Sequence, residues 1–187
     1  MTRIIGGAVG GRRLQTPPGD RTRPTSDRVR EAMFSSIEAW CGSMQGLRVL
    51  DLYAGSGAIG LEAWSRGAAA VTLVESDRRT ARLIESNAHA LGCRAATVRP
   101  LAVQTFLAVP PPDDQRFDVV VSDPPYPLTD DELAEDLRLL APWLADDALV
   151  IVERARRSPE PRWPGPRLEG TRSKRYGETT LWYAHAG

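Results

Sequence analysis

Asp123-Pro-Pro-Tyr126 joins a carboxylate, two rigid rings and an aromatic face at the end of an apolar run, Phe117 to Ser122. That set suits chemistry on a planar NH₂ group. The lone pair of such an amine is delocalised into its ring, so the nitrogen is a poor nucleophile. Asp123 can accept one amine proton as a hydrogen bond. A carbonyl of the Pro124-Pro125 segment can accept the other, drawing the nitrogen towards sp³ and freeing the pair. Proline fixes φ and holds that carbonyl in place. Tyr126 offers a face on which a base can stack, a contact worth about 1–3 kcal/mol in nucleic-acid-binding proteins. Read alone, the four residues also fit a proline-rich turn with a capping Asp.

A second set lies earlier. Asp51-Leu-Tyr53-Ala54-Gly55-Ser56-Gly57-Ala-Ile-Gly60 continues the apolar run Val49, Leu50, Leu52. Glycines take unusual φ/ψ and let a ligand approach the backbone closely. Asp51 falls near the carboxyl end of a strand, where open parallel sheets bind their ligands. Glu75 follows at close to the spacing at which an acid meets a ribose in nucleotide-binding βαβ units, with Ser76 beside it. The glycine turn fits a dinucleotide, S-adenosylmethionine, or a structural βα turn with no ligand. With S-adenosylmethionine the sulfonium already makes the methyl electrophilic, so aligning nitrogen, methyl and sulfur is the main catalytic task. No strong base is needed, because the alkylated amine sheds its proton readily.

These residues need strands that end side by side. Apolar runs over 49–52, 71–75, 95–98, 117–122 and 148–153 read as strands, several covered on both faces. Helical stripes fall between them: Val29, Met33, Ile37 and Trp40, with Asp27 expected as cap; 59–65; Ala81, Ile84, Ala88 and Leu91 within 78–91; 103–108; and Leu133, Leu137, Leu140 and Leu144. Gly10-Gly11 suggests a hairpin turn near the N-terminus. Lys174–Tyr176 and 180–185 read as a closing hairpin. The fold class is α/β, a doubly wound sheet with a terminal antiparallel pair. Residues 1–24 are expected to be an N-terminal extension and 25–187 the main domain.

Composition is that of an ordinary soluble protein, 42% hydrophobic and 26% charged in 187 residues. No apolar run reaches the ~18 residues of a membrane span, and no signal peptide opens the chain. Two isolated cysteines, Cys41 and Cys93, indicate neither disulfide nor zinc. A cytoplasmic location, with no membrane and no metal, is the expectation. Net charge is zero, but residues 1–30 carry +5, residues 154–187 carry +5 and the middle carries −10. Two basic ends form one polyanion-binding face if the fold brings them together. Solvated arginine-rich tails are the plainer reading.

Beyond these motifs, Arg3-Ile-Ile-Gly-Gly7, Thr22-Arg-Pro-Thr-Ser-Asp-Arg-Val-Arg-Glu31 and Tyr176-Gly-Glu-Thr-Thr-Leu181 resemble the bacterial 16S ribosomal RNA guanine-N2 methyltransferase family. Asp51 to Gly57, Glu75 and Asp123 to Tyr126 look like the cofactor and amine-methylation motifs of Rossmann-like, class I methyltransferases. The resemblance spans nearly the whole chain. It implies a seven-stranded sheet with one antiparallel strand in the last hairpin, and methylation of a guanine N2 in the small ribosomal subunit or an assembly intermediate. A monomer using S-adenosylmethionine is expected.

On that reading Asp51 and the Gly55–Gly57 backbone hold the methionine part of the cofactor, and Glu75 accepts the ribose hydroxyls. Asp123, Pro124, Pro125 and Tyr126 hold the guanine. Arg3, Arg12, Arg13, Arg23, Arg28, Arg30, Lys174 and Arg175 contact RNA phosphate. One departure matters: 99–104 holds no acid for the adenine amine, leaving a backbone group near Leu101 or Ala102. Three rivals remain: an NAD-dependent oxidoreductase, an adenine-N6 or protein-glutamine methyltransferase, and a non-catalytic RNA-binding module.

Overall fold

The computed structural model describes residues 2–19 and 26–187. A short hairpin comes first, β1 (Thr2–Arg3) and β2 (Arg13–Leu14), then α1 (Ser26–Cys41). Strands and helices then alternate: β3 (Arg48–Leu52), α2 (Ala58–Ser65), β4 (Ala70–Val74), α3 (Arg78–Leu91), β5 (Ala96–Arg99), α4 (Val103–Ala108), β6 (Phe117–Ser122) and α5 (Asp130–Leu140). A 3₁₀ turn over Ala141–Trp143 leads into β7 (Leu144–Ala155), followed by β8 (Leu168–Tyr176) and β9 (Thr179–Ala186).

The seven-stranded sheet runs β5-β4-β3-β6-β7-β9-β8. Strands β3 to β7 are parallel, and β9 is antiparallel to both of its neighbours. Alternate residues of one strand feed opposite faces, as a period of two requires. Leu50 and Leu52 join the core that β3 shares with α4 and α5, whereas Val49 joins the core against α1. Strand order reverses between β3 and β6, the place where open sheets leave a crevice beyond their carboxyl ends.

The N-terminal hairpin is built into the domain. Ile4 and Leu14 share a third apolar cluster with Leu61, Ala88 and Leu91 of α2 and α3. Glu62, fully buried, accepts from the N–H of Ile5 (2.8 Å) and Gly6 (2.9 Å) and from Arg66 Nε (2.9 Å). Gly7, at φ +80°, lies so close that a Cβ would sit 2.0 Å from the Ser65 carbonyl. The backbone can pass there only without a side chain.

Several sequence expectations need correction. Asp27 is inside the first turn of α1 rather than its cap, pairing with Arg30 at 3.1 Å and Arg3 at 3.6 Å. Trp40 is exposed and tilts against His185 instead of completing the core stripe. Leu144 belongs to β7, because Pro142 and the 3₁₀ turn end the helix before it. The first hairpin closes through a loop from Ile4 to Arg12, wider than a two-glycine turn.

Candidate active site

The two sequence signals flank the strand-order reversal. Gly55 follows β3 and Asp123 follows β6, and the two strands are adjacent and parallel. The Asp123 N–H is 3.4 Å from the Leu52 carbonyl, which draws the start of the proline segment to the end of β3. Tyr53, Ala54, Gly55 and Ser56 line a cavity of about 360 Å³ together with Asp123, Pro124, Pro125 and Tyr126. Tyr126 is 59% exposed and so presents its ring at the surface of this cavity. The Pro125 carbonyl accepts from Leu128 N–H at 3.0 Å, so within the segment the Pro124 carbonyl is the better placed to accept from a ligand.

The glycine turn has the open shape that a ligand needs. Gly55 has φ +56°, and nothing lies within 4 Å of where its Cβ would be. Gly57, at φ +83°, caps α2 with no side-chain hydrogen bond. Asp51 is 1% exposed and does not line the cavity. Its Oδ2 accepts from Gly60 N–H at 2.9 Å, so it holds the first turn of α2 from the preceding strand. Asp51 thus supports the turn through Oδ2, while its buried Oδ1 has no hydrogen-bond partner among the described residues.

Burial raises the Asp51 carboxyl to about 8; the Gly60 N–H opposes this, and the carboxylates of Asp123 and Glu75 add to it. Burial also raises half-buried Glu75, helped by Asp77 and opposed by backbone N–H groups of Gly55, Asp77 and Ser76. Below about 8 Asp51 is therefore neutral, and the negative field at these adjacent strand ends comes from Glu75 and Asp123. Such a field favours a cation and opposes a pyrophosphate.

Glu75 and Ser76 follow β4, and Leu101 and Ala102 follow β5, on the far side of the glycine turn from Asp123. None of the four lines the cavity. Leu101 N–H already donates to the Arg99 carbonyl at 2.9 Å. Ser76 is exposed, and the next residue, Asp77, caps α3 by accepting from Thr80 N–H.

Both basic ends reach the cavity, for Thr2 lines it on one side and Ser158 and Thr179 on another. Arg12, Arg13, Arg28, Lys174 and Arg175 are exposed, although Arg12 Nη2 donates to the Ala90 carbonyl at 2.9 Å. Arg3 is exposed and ion-paired with Asp27. Arg30 departs from expectation: it is 4% exposed, bound to Asp27 and the Arg3 carbonyl, and forms part of the cavity wall. Its guanidinium is thus held within the cavity wall and not on the outer surface. Arg23 lies outside the described residues.

Sequence reasoning missed two contributors, Arg154 and Asn87, and placed Tyr53 in the glycine turn without its bond to α5. Arg154, buried, lines the cavity and donates to Asp130 Oδ1 (3.0 Å) and the Leu128 carbonyl (3.3 Å), bracing the segment after Tyr126. Its position at a parallel strand's carboxyl end was the signal. Tyr53 takes a left-handed backbone, φ +61°, and its hydroxyl donates to Asp136 Oδ2 on α5. Asn87, 4% exposed on α3, accepts from Gln15 N–H (2.9 Å) and donates to the carbonyls of Gln15 and Ser56 (both 3.0 Å). A polar residue beside Ile84, Ala88 and Leu91 on the buried side of α3 was its signal. Among the described residues no three His, Cys, Asp or Glu side chains gather to hold a metal, and no helix is long and apolar enough to cross a membrane.

The family model described as "Conserved hypothetical protein 95" matches residues 2–185. Ribosomal RNA small subunit methyltransferase D of Escherichia coli (strain K12) is 40% identical over 158 residues, which covers 81% of this chain and 73% of that protein. The solved structure of Escherichia coli yhhF matches with a TM-score of 0.86 and 36% identity, over 99% of this chain and 97% of that one. SMU.776 in complex with SAH shares the fold at a TM-score of 0.71 and 15% identity, over 88% of this chain and 50% of that one.

Proposed function

The chain belongs to the conserved hypothetical protein 95 family, and from that membership and the site's geometry we propose that it methylates small-subunit ribosomal RNA at a guanine N2, using S-adenosylmethionine. The observation that carries this reading is the shared cavity: the glycine turn after β3 and Asp123-Pro-Pro-Tyr126 after β6 form one wall. The relatives' names speak for an RNA of the small subunit, and the choice of guanine N2 rests on the motif and its neighbours.

The residues fit that cofactor. Open space over Gly55 admits a ligand against the backbone, and the α2 N–H groups ahead of Gly60, whose own N–H is held by Asp51, favour a carboxylate. The field of Glu75 and Asp123 favours the two cationic centres. Glu75, at the end of the neighbouring strand, accepts the ribose hydroxyls. S-adenosylmethionine supplies an electrophilic methyl group and leaves as a neutral thioether.

The chain's part is to present the nucleophile. The target base leaves its stack and enters the cavity, where Tyr126 covers one face of the ring. Asp123 accepts one N2 proton and the Pro124 carbonyl accepts the other, fixing the nitrogen before the methyl. After transfer the cationic nitrogen gives up a proton, with Asp123 as the nearest acceptor. Tyr53 and Arg154 brace the two loops through Asp136 and Asp130.

The test offers labelled S-adenosylmethionine to unmodified small subunits, naked rRNA and DNA, followed by mass spectrometry of the nucleosides. N2-methylguanosine from rRNA supports the reading. N6-methyladenosine, or label entering DNA alone, overturns it.

A further inference from the structure

Beside the cavity, Arg156, Arg157, Arg175 and Glu178 line a separate niche of about 240 Å³. Ala155 and Thr179, which pair across β7 and β9, line the cavity itself, and the niche begins at the next residues along both strands. Arg156 N–H donates to the Glu178 carbonyl at 2.8 Å, so the turn after β7 is fastened to the β8–β9 turn and the niche has a fixed floor. The three arginines are exposed, and among the described residues none of them forms an ion pair with a carboxylate.

These cations differ from other basic groups nearby. Lys174 lies 5.5 Å from the Tyr176 ring, and the Arg172 guanidinium 4.0 Å from the Tyr183 ring. Charges along the open edge of β8 also keep sheet edges of two molecules apart. Arg156 and Arg157 are off that edge, in the turn that follows β7, so edge protection does not account for them.

We propose that Arg156, Arg157 and Arg175 seat the RNA backbone phosphates flanking the nucleotide drawn into the cavity. The inference rests on the rRNA reading above and adds the place where the strand is held. A nucleotide swung out of its stack carries its own phosphates to the mouth of the pocket that receives it. Strands rise about 3.3 Å per residue, so a niche one or two residues beyond the cavity wall lies within reach of those phosphates. Guanidinium groups suit the role, because their planar fork matches phosphate oxygens.

The test compares wild type with the triple variant Arg156→Gln, Arg157→Gln, Arg175→Gln. A control, Arg94→Gln with Arg116→Gln, removes charges that precede β5 and β6 at the opposite end of the sheet. Direct binding of a labelled, unmodified small-subunit rRNA fragment and methyl-transfer kinetics are both followed from 50 to 200 mM salt. Each phosphate contact to a single strand contributes about 0.7 to the slope of log K against log salt, so three contacts make wild type lose about 20-fold more affinity than the triple variant over that range. The expected result is that flattened slope, with kcat within about twofold and the control pair as steep as wild type. A wild-type slope in the triple variant, or equal flattening in the control, overturns the niche. Steep binding by wild type with no methyl transfer overturns the functional reading and leaves the niche standing.

Discussion

Asn87 ties three separate parts of the chain together, and replacing it tests whether the N-terminal hairpin supports the cofactor turn. Its amide makes three neutral hydrogen bonds, one accepted from Gln15 N–H and two donated to the carbonyls of Gln15 and Ser56. At about 0.5–1.5 kcal/mol each, Asn87→Ala costs roughly 1.5–4.5 kcal/mol. In a chain of this length 1 kcal/mol moves Tm by about 2–4 °C, so the melt falls by roughly 3–18 °C. Freeing the Ser56 carbonyl loosens the glycine turn as well. If one bond's worth of order, about 1 kcal/mol, is lost there, S-adenosylmethionine binds about fivefold more weakly by calorimetry. Asn87→Asp sharpens the test. Asp keeps the acceptor for Gln15 N–H but turns a carboxylate towards two carbonyls, so at neutral pH it must be worse than Ala despite its closer shape. Protonation restores one donor. The folded-state pKa of that Asp is therefore raised, and its stability contribution is present at low pH and lost as pH rises through that value. Thermal melts of both variants from pH 5 to 8 decide the matter. An Asp variant as stable as wild type at pH 7.5 refutes the bond assignment.

Asp123→Ala should lower kcat by at least about 10²-fold, the usual scale for losing one preorganised polar contact, while S-adenosylmethionine binds within several-fold of wild type; loss of both activities would make the residue structural. Glu75→Ala should weaken the cofactor by about 10- to 150-fold, the worth of a hydrogen bond to a charged group, and an unmoved Kd would end the ribose assignment. Asp51, protonated up to about 8 when folded and ordinary when unfolded, makes stability decline as pH rises between about 4 and 8. Asp51→Asn keeps an acceptor for Gly60 N–H and should flatten that decline in pH-dependent melts, so parallel curves for the two proteins would contradict it. Glu62→Ala leaves Arg66 facing a vacated pocket and two backbone donors without partners, at a cost of about 3–5 kcal/mol. Limited proteolysis should then cut within residues 4–12, and an uncut hairpin would show that its apolar contacts suffice.

Much of the fold was legible because its signals are local. The helices over 78–91 and 103–108 and the strand over 117–122 have the bounds that their periodicity and flanking polar residues indicate. The strand-order reversal was also foreseeable in kind, since a glycine turn and a proline turn each ended a buried strand. Long-range bonds were not. Nothing adjacent to Glu62 says that it meets Ile5 and Gly6, and a Glu in a helix usually reads as solvated surface. Arg30 misled for the related reason that a helix's opening turn is usually exposed. Here the hairpin covers it. Asp51 was recognised by position, but its burial depends on how α2 leans on β3, which no spacing encodes.

Thr2 in the cavity wall has a practical corollary for anyone handling this enzyme. On the proposed reading, a polyhistidine or fusion partner joined ahead of residue 2 begins at the cavity that takes the nucleotide, and competes with it. Behind Ala186 the chain emerges elsewhere, because β9 runs back from its pairing with Ala155 at the end of β7 to its pairing with Leu149 halfway along it. Eight residues of strand separate that exit from the cavity, about 25 Å at the usual rise. Purification handles therefore belong after residue 187, and comparing transfer rates of the two tagged forms would reveal the obstruction directly.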